Sequence, residues 1–319
     1  MRAAALALTL CLALAGGAVA TSPPPGGGTS LSYPKAGLTL PRSIGGLPMV
    51  SQKDSNGDGL DNVIRYEASG IWATIYLYRP PLADPNLLAL VLEKILREKH
   101  GAALTVQDDR LVAVAGSRPN ARRVVYAGVD GGKLASALVV ARTGEWLVKV
   151  RVSGPATRQA EVLSVADAVL PAIGWGKAGG PDPLAPWKPV PCLTEPTGAA
   201  PAELEVKGKL ADMANGLNAK PFRGIAWPAD GKGVCVDKPV RIGEDTRMVL
   251  RGPVGEGAYH TRFLILMDDA GTLVEVGQAK GEGRTLGVVR QHNTTGSALV
   301  GWLEMVPTRP QLEPVFGLQ

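Results

Sequence analysis

The chain has 319 residues, and its 34 Lys and Arg against 29 Asp and Glu give a formal net charge of +5. Hydrophobic residues make up 45% and charged residues 20% of the chain, as in ordinary globular proteins, so a wholly disordered or fibrous protein is excluded. Domains of roughly 100–200 residues are typical. The length therefore predicts two domains, each large enough to bury its own core.

The N-terminus is typical of a secretory signal peptide over residues 1–20. A positive region at Arg2 precedes a mostly apolar run over residues 3–15, and the small residues that end at Ala20 fit cleavage there. A membrane-spanning helix needs roughly 20 apolar residues. After the signal, the longest uninterrupted apolar run is residues 87–92. We therefore expect an exported protein, periplasmic or secreted, with no transmembrane segment after signal cleavage.

Proline and glycine divide the remaining chain. Residues 21–32 are rich in Pro, Gly and Ser and predict a flexible tether, and residues 177–191 predict a linker between domains. The two domains are then residues 33–176 and residues 192–319.

Two cysteines, Cys192 and Cys235, remain once the signal peptide is removed. Exported compartments are oxidising, so this pair predicts a disulfide. Closing the loop between them contributes about 4 kcal/mol to stability in the chain-entropy account.

The first domain begins with a predicted β-hairpin, followed by one helix, five strands and a closing helix. Strand-like runs at residues 62–67 and 71–78 are joined by an Ala-Ser-Gly turn. One face of the second strand carries Trp72, Thr74, Tyr76 and Tyr78. Further strand-like runs cover residues 103–108, 111–115, 122–129, 133–141 and 146–152.

Asp84 and Pro85 predict the start of the first helix, which ends at Gly101, and the second helix covers residues 155–173. The first helix has one apolar stripe of Leu88, Val91, Leu92, Ile95 and Leu96. This order of elements predicts an α+β fold in which an antiparallel sheet has both helices packed on one face.

Three segments of residues 33–175 carry a resemblance to a known architecture: IRYEASGIWATIYLYR leading into DPNLLALVLEKILREKHG, and EWLVKVRVSGP entering the final helix. In element order, this region resembles the PsbP/Mog1/DcrB-like α+β sandwich proteins. Members of that architecture mostly bind or assist other proteins. The resemblance therefore implies a non-enzymatic role and assigns no site residues.

The second domain is predicted to be mainly β, either a meander or a small barrel. Candidate strands cover residues 246–251, 261–267, 272–278, 285–290 and 297–305.

The run DSNGDGLD over residues 54–61 is the sharpest local motif. It matches the opening of a calcium loop, with oxygens on Asp54, Asn56 and Asp58 and a glycine at the sixth position. The twelfth position is Arg65, where a calcium loop needs a carboxylate. We therefore expect a polar turn and no cofactor, with calcium as the alternative.

Acid–base catalysis by histidine has only three candidates, His100, His260 and His292, which are far apart in the sequence. His100 lies beside the glycine that ends the first helix, where a cation favours the helix C-terminus. His260 or His292 with Asp268 is an alternative acid–base pair for a hydrolase.

The charge excess lies in the first domain, where residues 33–176 hold 17 basic and 13 acidic residues. Arg122, Arg123, Lys149 and Arg151 form a candidate patch for an anion or a partner, and Lys149 and Arg151 share a face of a strand. The expected partner is another envelope protein or an anionic envelope surface. Nucleic acid is not expected, because the protein is exported and the excess is small.

These observations predict an exported bacterial envelope protein with a non-catalytic binding or accessory role. Two alternatives remain open: a hydrolase of unknown substrate that uses His260 or His292, and a calcium-stabilised binding module at Asp54, Asn56 and Asp58.

Overall fold

The computed structural model describes residues 28–176, 179–186, 190–192, 234–242, 245–252, 262–267, 272–281, 284–292 and 297–303. The predicted signal peptide and most of the tether lie outside the described residues. Among the helices of the described part, none has the length and apolar character needed to cross a membrane.

The first domain contains an antiparallel sheet and two α-helices, as predicted. In chain order its elements are β1 (Ser30–Tyr33), β2 (Leu38–Pro41), β3 (Ser43–Ile44), β4 (Leu47–Asp54), β5 (Asp61–Ala68), β6 (Ile71–Tyr78), α1 (Pro85–His100), β7 (Thr105–Val112), β8 (Ala121–Val129), β9 (Leu134–Thr143), β10 (Trp146–Pro155) and α2 (Gln159–Val169). Eight of the strands form one sheet in the order β3-β4-β5-β6-β10-β9-β8-β7, and β1 and β2 form a separate hairpin.

The strands β1 to β4 were not predicted, and β7 replaces two predicted strands. The runs at residues 103–108 and 111–115 belong to one strand with an irregular register between Val106 and Asp108. A bulge of this kind interrupts the alternation of apolar and polar residues, so one strand has the pattern of two.

The two helices lie on opposite faces of the eight-stranded sheet, so the prediction that both pack on one face is wrong. Along β9, Leu138 and Val140 share a hydrophobic core with α1, whereas Ala137 and Val139 share a core with α2. Successive side chains of a strand point to opposite faces, so each helix covers a different face. Because the middle of β9 is apolar at consecutive positions, both of its faces need to be buried.

Helix α1 is buried on two sides, which divides its predicted apolar stripe. Leu88 and Leu96 pack against the eight-stranded sheet. Leu87 and Val91 instead pack against apolar side chains of the second domain, and Lys94 Nζ donates a hydrogen bond of 2.6 Å to the Thr246 carbonyl. The helix therefore lies between the two sheets.

The described part of the second domain is a seven-stranded sheet. Its strands are β11 (Val190–Pro191), β12 (Cys235–Ile242), β13 (Asp245–Gly252), β14 (Arg262–Leu266), β15 (Leu273–Gly281), β16 (Arg284–His292) and β17 (Ser297–Leu303). They pair in chain order, with β11 parallel to β12 and the others antiparallel, as in a meander.

Strand β12 was not predicted, because Pro239 interrupts its sequence. Proline lacks an N–H donor and is confined to edges and bulges of sheets. The register between β12 and β13 shifts between Asp237 and Val240, which accommodates the proline. Beside this strand, Cys192 and Cys235 form a disulfide with their Cα atoms 5.0 Å apart, as predicted.

Candidate functional site

Part of the sheet face that carries α1 is open. Helix α1 packs on β8 and β9, and the adjoining strands β5, β6 and β10 carry half-buried side chains on that face. We call the following residues the open face: Val63, Arg65, Trp72, Thr74, Tyr76 and Arg151.

The opposite side of the same three strands is sealed. Ile64, Ala73, Ile75, Val150 and Val152 alternate with the open-face residues and are all 0% exposed in the core beneath α2. Among the described residues, the open face is therefore the less buried side of these three strands.

The open face is organised in rows across the strands. Val63, Tyr76 and Lys149 are register partners in one row, and Arg65, Thr74 and Arg151 form the next. Alternation along β6 therefore places Trp72, Thr74, Tyr76 and Tyr78 on one side, as predicted.

Lys149 is a buried side chain on the same side of the sheet as the open-face residues. Its side chain is largely buried, at 4% exposure for the residue, and its ammonium lies 4.0 Å from the centre of the Tyr76 ring and 5.7 Å from that of Tyr78. An ammonium over an aromatic face is attracted by the ring quadrupole. Lys149 therefore contributes positive charge beside Tyr76 and helps to hold that ring in place.

Arg151 bonds to one buried serine, which in turn lies against a second. Its Nε donates a hydrogen bond of 3.3 Å to Ser136 Oγ, which lies 2.9 Å from Ser153 Oγ. Arg151 makes no ion pair with any residue in the described part of the chain. Its guanidinium is therefore oriented by a neutral hydroxyl group.

Arg65 has a different environment. Its Nε donates a hydrogen bond of 2.8 Å to Glu67 Oε2, and its guanidinium lies 5.6 Å from the centre of the Trp72 ring. Glu67 thus neutralises Arg65, while the arginine holds the indole in position.

The four residues of the predicted anion or partner patch are separated in the structure. Arg122 and Arg123 are buried: Arg122 pairs with Asp109 at 2.7 Å, and Arg123 pairs with Asp167 of α2 at 2.7 Å. Being adjacent in β8, the two arginines point to opposite faces of the sheet. Of the four, only Arg151 belongs to the open face, and Lys149 is buried next to it on the same strand.

The Asp54 loop is a hydrogen-bonded turn between β4 and β5. The Asp54 carboxylate accepts backbone N–H groups of Asn56, Gly57 and Gly59 at 3.3, 3.0 and 2.7 Å, and Asp58 Oδ1 accepts that of Leu60 at 2.9 Å. Short polar side chains commonly bond to nearby backbone in this way.

Asp61 follows this loop at the start of β5. Burial raises the pKa of its carboxyl group, and the Asp54 and Asp58 carboxylates raise it further. The Ser55 hydroxyl and the Lys149 ammonium act in the opposite direction. Across the described residues, no group of three or more His, Cys, Asp or Glu is placed to hold a metal ion.

We expect Asp54→Ala to lower the free energy of unfolding by about 1–2 kcal/mol, because it removes three backbone hydrogen bonds of the turn. The matched control is Asp58→Ala, which removes one such bond and is expected to cost less. Thermal unfolding with and without calcium is the measurement. A melting temperature that rises with calcium in the wild type, and not in Asp54→Ala, would contradict the turn and favour a calcium site.

The residues of the hydrolase alternative are not brought together in the described structure. His260 and Asp268 lie outside the described residues, and His292 is the last residue of β16. His100 ends α1, and its Nδ1 accepts the Asp130 backbone N–H at 3.4 Å. Burial, with the nearby Lys99 and Arg151, lowers the pKa of His100.

A cleft of about 370 Å³ lies between the start of α1 and residues 183–185. Arg118 and Arg142 are its cationic side chains, and Asp84 lies beside them. The Asp182 carboxylate accepts hydrogen bonds from Arg142 Nε at 3.2 Å and from the Gly144 amide at 2.9 Å. An acidic residue of the chain therefore already pairs with one of the two arginines.

Comparison with protein-family models and with curated proteins finds no match for the chain. The resemblance to the PsbP/Mog1/DcrB-like architecture therefore stays a prediction.

Proposed function

We propose that the protein is an exported envelope protein that binds a protein partner through the open face and catalyses no reaction. The observation that carries this proposal is the half-buried position of Trp72 and Tyr76 beside Arg65 and Arg151, on strands whose other side is sealed. Tryptophan, tyrosine and arginine are the residues most enriched at the energetic centres of protein interfaces.

The aromatic side chains of the open face are already held in place. Arg65 lies over Trp72, and Lys149 lies under Tyr76. A side chain that is ordered before binding loses less conformational entropy when the partner arrives. The open face therefore has the rigidity that a specific interface needs.

A protein fits this face better than an anionic membrane surface. Membrane surfaces attract clusters of protruding Lys and Arg. On this side of the sheet the lysine is buried, both arginines are half-buried, and Arg65 lies against the Trp72 ring. A partner must therefore contact the half-buried arginines with protruding side chains of its own.

Site-specific photo-cross-linking tests the proposal. A photoreactive amino acid replaces Thr74, at the centre of the open face, in the mature chain in an envelope extract. The matched control places the same group at Ala160, an exposed position of α2 on the other side of the sheet.

We expect a discrete protein adduct from position 74 and none from position 160. Adding Trp72→Ala is expected to reduce the adduct about tenfold or more, because truncating a buried aromatic anchor is costly to an interface. Equal adducts at both positions, an adduct unaffected by Trp72→Ala, or cross-linking to lipid alone would contradict the proposal.

A further inference from the structure

We propose that Arg151 is the carboxylate-binding residue of the open face, so that the partner docks with an acidic segment that contains Asp or Glu. This inference rests on the proposed function and specifies the chemistry of the partner.

The guanidinium of Arg151 is held in one orientation from its inner side. Its inner nitrogen, Nε, bonds to Ser136 Oγ, and the Ser136 hydroxyl also lies 3.3 Å from the Val152 carbonyl. Ser136 and Ser153 are both buried, so these contacts are shielded from water. The two outer nitrogens of the guanidinium, which carry most of its N–H donors, make no hydrogen bond within the described part of the chain.

The residues next to Arg151 determine which ligand charge it favours. The row that contains it continues to Thr74 on one side and Leu138 on the other, both neutral. Lys149 is two residues away on the same strand and the same face. Two carboxylates lie on the same side of the sheet, but Glu67 pairs with Arg65 and Asp61 interacts with Lys149. Arg151 is therefore the cation of this face that has no ion pair in the described part of the chain, and a carboxylate would complement it.

The geometry of the Arg151 guanidinium favours a carboxylate as its ligand. The two outer nitrogens of a guanidinium match the two oxygens of a carboxylate, and such paired hydrogen bonds are among the strongest in proteins. Arg151 is half-buried, so its bonds are screened less than those of an exposed arginine. The open face consists of side chains on the face of a sheet, so a partner bonds to these side chains and not to the strand backbone.

The test is the binding of fluorescently labelled poly-L-glutamate to the mature chain, measured by anisotropy. We compare wild type, Arg151→Gln and Arg151→Lys with the control Arg158→Gln. Arg158 is a half-buried arginine directly before α2, paired with Glu161 of that helix, which covers the opposite side of the sheet. Poly-L-lysine and vesicles of phosphatidylglycerol and phosphatidylcholine are the comparison probes.

We expect Arg151→Gln to weaken poly-L-glutamate binding about tenfold or more, Arg151→Lys to weaken it less, and Arg158→Gln to leave it unchanged. Equal binding by wild type and Arg151→Gln, no binding by wild type, or a preference for the vesicles would overturn the inference. Absence of the cross-link from position 74 in the otherwise wild-type protein would sink the proposed function, whereas an undiminished cross-link in the Arg151→Gln protein would sink only this inference.

Discussion

Replacing Arg122 with methionine is expected to lower the free energy of unfolding by about 3–5 kcal/mol. Arg122 donates to both oxygens of Asp109, at 2.8 and 2.7 Å, and its side chain is 8% exposed against 14% for Asp109. It also donates to Asn86 Oδ1 at 3.2 Å, which ties β8 to the first turn of α1. Methionine fills a similar volume but leaves the largely buried Asp109 without this partner. Urea unfolding followed by circular dichroism measures the loss.

Two controls separate the buried ion pair from general effects of removing an arginine. Arg110→Met removes an arginine that is 60% exposed and 3.3 Å from Asp108, and such surface pairs contribute about 0–1 kcal/mol. The double variant Arg122→Met/Asp109→Leu removes both charges and is expected to recover most of the stability. An Arg122→Met protein that unfolds at the same urea concentration as wild type would contradict this account.

Gly128→Ala is expected to lower the free energy of unfolding by more than about 4 kcal/mol. Gly128 lies where the register between β8 and β9 shifts, with φ at +78°. A Cβ atom there would lie 1.7 Å from the Ala103 carbonyl oxygen, which is backbone and cannot rotate away. The segment that joins α1 to β7 would have to move. Urea unfolding is again the measurement.

Gly132→Ala is the matched control for this substitution. Gly132 has φ at +86°, and no atom lies within 4 Å of the position its Cβ would take. It therefore tests the cost of left-handed backbone alone, about 1–2 kcal/mol. If both substitutions cost the same, the close approach of Ala103 is not what requires glycine at position 128.

The elements with strong local signals could be predicted from the sequence. The capping side chain of Asp84 accepts the backbone N–H groups of Asn86 and Leu87, and α1 covers Pro85–His100, close to its predicted bounds. Strand β6 covers Ile71–Tyr78, as predicted. The helix start and the strand depend on residues that are close together in the sequence, so the local sequence pattern predicts them.

The sequence does not predict on which face of the sheet each helix packs. Apolar residues at consecutive positions of β9 indicate burial on both sides, but they do not say which helix covers which side. The division of α1 between two sheets depends on the second domain, which is distant in sequence.

The candidate site was predicted only in part. Alternation placed Lys149 and Arg151 on one face, and the structure agrees. The same alternation places the adjacent Arg122 and Arg123 on opposite faces, so their separation was contained in the sequence. The burial of Lys149 under Tyr76 and the support of Arg151 by Ser136 depend on strand pairing and could not be foreseen.

The most direct test of the central claim is an NMR titration of the mature chain with a glutamate-rich peptide, in wild type and in Arg151→Gln. We predict that the amide shifts that change are confined to β5, β6 and β10, with the largest changes near Thr74 and Arg151, and that they are lost in the variant. Changes centred on α2 or on the second domain would contradict binding through the open face, and equal changes in both proteins would contradict the role of Arg151.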